Sequence, residues 1–128
     1  MPATAYLDPD TGIAHCSATG KLTRDEIVAV IEQIYRDPNF REPRHTIWDM
    51  AEATPTLNVE EVRAVVAYVK AHRPVGAGKT AIVATGDLAF GMGRMYEMLA
   101  SEQQVKTRVF RDSKQAQQWL LEDETEPS

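Results

Sequence analysis

Residues 79–103, KTAIVATGDLAFGMGRMYEMLASEQ, constrain the fold more than any other stretch, because a short apolar run passes almost directly into a helix-period pattern. Ala81, Ile82, Val83 and Ala84, held between Gly78 and Gly86, read as a strand buried on both faces. Asp87 then offers an N-cap oxygen, and Leu88, Met92, Met95, Tyr96 and Leu99 recur at helical spacing. A buried strand feeding an amphipathic helix is half of a parallel crossover unit. In an open α/β sheet, the turn between the two is where a ligand would lie.

The rest of the chain supplies elements of the same kind. Residues 4–7 and 13–19 are short β-type runs, and DPDTG between them predicts a hairpin turn. Alternation places Ile13, His15, Ser17 and Thr19 on one face and Ala14, Cys16 and Ala18 on the other, with His15 toward solvent. Gly20 is expected to end this strand. Thr23 and Glu26 form a capping box ahead of the stripe Ile27, Val30, Ile31, Ile34 and Tyr35, which stops at Asp37-Pro38. HTIWDM predicts a strand centred on Ile47 and Trp48 with Asp49 at its C-terminal end, and AEATPT after it shows no periodicity. Leu57, Asn58 and Glu61 mark the next helix start, followed by Val62, Val65, Val66 and Val69. So valine-rich a helix must draw its stability from packing on a sheet.

Val105, Thr107, Val109 and Arg111 alternate with Lys106, Arg108 and Phe110, as in a strand near a sheet edge. Asp112 or Ser113 caps a last helix with Ala116, Trp119 and Leu120 on one side. Trp48 and Trp119 are both expected to be buried. Residues 123–128, DETEPS, are expected to form a disordered acidic tail. The order β-β-α-β-α-β-α-β-α predicts one α/β domain over 5–122, a mixed sheet of five strands with an N-terminal hairpin and four helices.

Composition narrows the function classes. A formal charge of −5, with 14 Lys and Arg against 19 Asp and Glu and no basic cluster, disfavours nucleic acid and anionic membrane. The single cysteine, Cys16, excludes an internal disulfide and a paired-Cys zinc motif. No apolar run approaches the ~18 residues of a membrane span, and the first residues lack an export signal. The expected location is the cytoplasm.

FGMGRMYEMLA followed by VKTRVFRDSKQAQQWL resembles the bacterial SpoIIAA-like branch of the STAS superfold. There, a penultimate strand, an amphipathic helix, a strand ending in Val-Phe and a final helix ending in Ala-x-x-Trp-Leu follow in that order. The resemblance covers most of residues 5–122 and implies the fold more than an activity. In anti-sigma-factor antagonists of similar fold, a Ser after an Asp near the third strand's end is phosphorylated. Here MAEATPTLN follows that strand without the Asp-Ser-(Ser/Ala)-Gly pattern, and no phosphosite carries over.

Candidate chemistry is sparse. Gly91-Met92-Gly93 lacks the Lys-Ser/Thr of a P-loop and the full G-x-G-x-x-G spacing. Arg94 would suit an anion or pair with Glu97 or Asp87. Asp49, Glu52, Asp87 and Glu97 are paired carboxylates only if the fold separates their environments. His15, His45 and His72 lack ligand spacing, and nothing near Cys16 would activate it. These features predict a non-enzymatic regulatory or protein-interaction module of the STAS-like type, without a cofactor or metal. The expected ligand site is Asp49, Gly86, Asp87, Phe90 and Arg94. Its ligand, apolar or anionic, is expected to be more apolar than charged, lying against Phe90 and Met92. The alternative is a small enzyme, or a lipid or metabolite carrier, using the cleft near Asp49 and Asp87. The expected partner is a protein or a second copy, the homodimer forming through the helix face of Phe90, Gly91, Gly93 and Met98.

Overall fold

The predicted order of elements is the one found. In the computed structural model, which describes residues 3–74, 76 and 78–122, β1 (Ala3–Leu7) and β2 (Ala14–Leu22) precede α1 (Arg24–Arg36). Then come β3 (Thr46–Pro55), α2 (Val59–His72), β4 (Thr80–Val83), α3 (Asp87–Glu102), β5 (Thr107–Phe110) and α4 (Ser113–Leu121). The expected tail, 123–128, lies outside the described residues.

The strands form one sheet in the order β1-β2-β3-β4-β5. β1 pairs antiparallel with β2, and every later pair is parallel. Because successive crossovers advance in one direction, they lay α1, α2 and α3 on the same face. There Ala14, Cys16, Ala18 and Trp48 of the sheet pack with Val30, Ile31, Val62, Val65 and Leu99. The chain turns over the β5 edge, so α4 covers the other face, where Ala116 and Leu120 meet Ile47, Ala81 and Val83. β4 is thus buried from both sides, as its unbroken apolar run predicts.

Local chemistry fixes the helix starts. Thr23 and Asn58 each accept a hydrogen bond from the amide three residues on, and Glu26 and Glu61 reach back to the cap amides. Asp112 caps α4 through Lys114 N at 2.7 Å. At the other end of α4, the Lys79 ammonium donates to the carbonyls of Trp119 (2.7 Å) and Glu122 (3.0 Å). Lys79 is only 4% exposed and also lies over the Trp119 ring, so a buried cation closes the negative end of that helix. Trp48 is buried, and Trp119, partly buried, packs against the second core face, tilted against Phe110.

Two strand expectations need correction. Gly20 does not end β2: it takes φ +65°, which costs a glycine nothing, and the strand runs on to Leu22. Likewise Asp49 is not the end of β3, which continues through the stretch without periodicity to Pro55. Ser17 pairs with Asp49 but Thr19 with Glu52, so β3 carries one extra residue at this point. That bulge shifts the alternation by one. Thr46, Trp48 and Met50 face inward before it, Ala53 and Pro55 after it. Beyond Asp49 the edge of β3 that faced β4 is free, which is where a proline is tolerated in a strand.

Candidate functional site

Against the inner face of β4, the prolonged β2–β3 ribbon and the first turns of α2 and α3 border a cavity of about 70 Å³. Trp48, Met50 and Ile82 form its sheet side, and Ile27 and Ile31 of α1 its nearer wall. Val62 and Val65 of α2 and Ala89, Met92 and Tyr96 of α3 close it opposite. Leu22, Pro55 and Leu57 make the lip, Leu22 inward by the alternation of β2 and Pro55 inward because of the bulge in β3. No charged side chain lines it. Burial pushes the Tyr96 phenol well above the usual tyrosine range, with the neighbouring Tyr35 adding to the shift.

The turn before α3 is built differently from the sequence reading. Gly86, not Asp87, is the N-cap, and no side chain bonds the amides of that first turn. Asp87 is the first helical residue, and its exposed carboxylate pairs with Arg111 at 3.0 Å. The same Arg111 guanidinium donates to Thr85 O at 3.0 Å and stacks 4.1 Å over the Phe90 ring. Gly86, Asp87 and Phe90 are thus gathered around a cation from the end of β5. Arg94 instead pairs with Glu97 at 3.5 Å, and Asp49 accepts from Ala51 N at 3.0 Å within the bulge. None of the five expected residues lines the cavity, while Met92, the expected apolar contact, does.

Other expected features of α3 also change. Leu88, expected in the apolar stripe, is 62% exposed, and Ala89 takes the inward position. Gly93 is not on an outer face: a Cβ there would stand 2.6 Å from Val109 Cγ2, so the glycine lets α3 settle onto β5. Gly91 faces open space, and Met98 is 61% exposed. Glu97 accepts from Val109 N at 3.1 Å, occupying an outward amide of the edge strand.

The remaining reactive side chains stand apart. Cys16 is buried, and desolvation raises its thiol pKa far above the ordinary value, leaving it a small core residue. His45 Nδ1 accepts from the Lys79 amide at 2.9 Å, His72 stacks on Tyr68, and His15 lies beside Tyr6. Among the described residues no group of three or more His, Cys, Asp or Glu is placed to hold a metal. Nor is any helix among them long and apolar enough to cross a membrane.

No family model and no curated protein matches the sequence. A solved structure does match: an uncharacterised protein of the DUF3478 family from Shewanella loihica, described as having a SpoIIAA-like fold. The two superpose with a TM-score of 0.59 over 92% of this chain and 93% of that one, at 15% sequence identity. The fold is SpoIIAA-like. At that identity the likeness speaks for architecture alone. Apart from Met92 and Gly93, the lining residues carry no ligand signal in the sequence, because a cavity wall and a packed core use the same side chains.

Proposed function

We propose that this SpoIIAA-like domain is a non-catalytic regulatory module that holds a small apolar ligand in the cavity between α1, α2, α3 and the sheet. The observation that carries this reading is a cavity at the C-terminal ends of parallel strands, lined without a single charged side chain. Met50 and Met92 in its wall are adaptable side chains that reshape around an occupant. Its size, about 70 Å³ or roughly half of the ~150 Å³ void that admits a benzene ring, favours a slender molecule that enters by one end and keeps the rest of its length at the mouth. The test is a thermal-shift and native mass spectrometry series with straight-chain alkanes and alcohols, run on the native protein and on Ala89→Leu, which fills the wall. Binding by the native protein and loss of binding in a folded Ala89→Leu supports the reading. No shift and no mass adduct with any compound removes it.

A second reading, contact through the outer face of α3, is favoured by the exposed Leu88 and Met98. Sedimentation of the native protein against Leu88→Glu/Met98→Glu tests a homodimer there. A native protein that sediments as a monomer ends that reading.

A further inference from the structure

Behind the apolar cavity lies a second, smaller one of about 30 Å³, and Ile31, Trp48, Thr80 and Tyr96 line both. The inner space differs in chemistry. Tyr35 and Thr46 join Thr80 and Tyr96 around it, so it carries hydroxyl groups where the outer space is almost wholly aliphatic and aromatic. None of these side-chain hydroxyls makes a hydrogen bond to the protein among the described residues. Only Thr107 Oγ1 among them is both sealed and without a partner, so the inner hydroxyls keep open surface. Again no carboxylate, ammonium or guanidinium lines the space.

Resting on the apolar-ligand reading above, we infer that the ligand is amphipathic, entering with an uncharged hydrogen-bonding group that meets the hydroxyls of Tyr96 and Thr80 in the inner chamber. Hydroxyls removed from bulk water need partners, and a purely apolar ligand leaves them without any. A charged head is excluded by the lining, since no opposite charge stands there to offset its desolvation. Volume agrees: at ~10–15 Å³ of probe space per water, the inner chamber of about 30 Å³ takes two or three waters, or one hydroxyl or carbonyl group in their place. The apolar body then fills the outer chamber, with Met50 and Met92 adjusting to its length.

The experiment compares 1-hexanol with heptane, which replaces the hydroxyl by a methyl group. Each is titrated against Trp48 emission in a Trp119→Phe background, since Trp48 lines both chambers. In a dry apolar cavity the alcohol binds far more weakly, because its hydroxyl gives up water for nothing. The inference expects the alcohol to bind at least as tightly as the alkane. In Thr80→Val/Tyr96→Phe, the alcohol should weaken about tenfold or more while heptane holds or tightens, heptane binding also proving that the variant folds. Heptane bound well, with the alcohol weak in both proteins, overturns this inference and leaves the apolar-ligand reading standing. Binding of neither compound to the native protein overturns both.

Discussion

Gly91 and Gly93 sit two residues apart on α3, yet their surroundings give opposite expectations. Gly93→Ala drives a Cβ to 2.6 Å from the stiff Val109 side chain, and overpacking of this kind costs about 1–3 kcal/mol. Gly91→Ala meets nothing within 4 Å and should stabilise the helix by about 1 kcal/mol. Urea denaturation of the two variants checks the pair, and equal midpoints would contradict the placement of Gly93. The sequence could not tell the two apart, because Val109, sixteen residues on, decides the matter (109 against 93). The role of Asp87 is hidden for the same reason: its partner Arg111 lies 24 residues away. The tyrosines carry a pH expectation. Burial pushes Tyr35 up to about 12 and Tyr96 further, while an unfolded tyrosine ionises near ~10. The folded state therefore keeps protons that the unfolded state loses, so their contribution is complete below pH ~10 and falls away as pH rises toward 12. Denaturation midpoints that drop across this window, with phenolate absorbance appearing late, are the expected result.

At the scale of elements, the bulge in β3 decides which side chains reach the cavity lip. Deleting Ala51 takes out the extra residue, so Met50 can pair with Ala18 while Glu52 keeps Thr19, and Ala53 and Pro55 stay on the inner face with Glu52 and Thr54 outside. The deletion should therefore leave cooperative unfolding intact, whereas Ala53→Glu puts a carboxylate on the inward side of the strand and should lower the melting temperature sharply. Thermal melts of both variants check it. The bulge also explains which elements were legible. Capping boxes at Thr23 and Asn58 complete themselves within three residues, and the Val62–Val69 stripe repeats at one period. AEATP breaks its period midway through a strand, so no single template fits it, and the cavity lip it builds stayed hidden. α4 is held in another way. Lys79→Met leaves its last carbonyls without their buried cation, at a cost of about 2 kcal/mol or more, and should expose Trp119 to a soluble quencher.

Across the whole molecule, α1 to α3 and both chambers share one face, while α4 stands alone on the other. A ligand in the cavity therefore touches the three helices and leaves α4 untouched. Hydrogen exchange with and without 1-hexanol should show protection gained in α1, α2 and α3 but not in α4, and uniform protection would argue against the cavity as the site. The strand order β1-β2-β3-β4-β5 has a consequence for how the chain is made. Each strand adds to the free edge left by the one before it, so no pair already formed has to open to admit a later one. On a ribosome the sheet can lengthen strand by strand as residues emerge, until β5 and α4, the last to appear, close the final edge and cover the second face. A chain arrested before Thr107 should thus already protect the β2–β3 amides, its exposed hazard being the bare edge of β4.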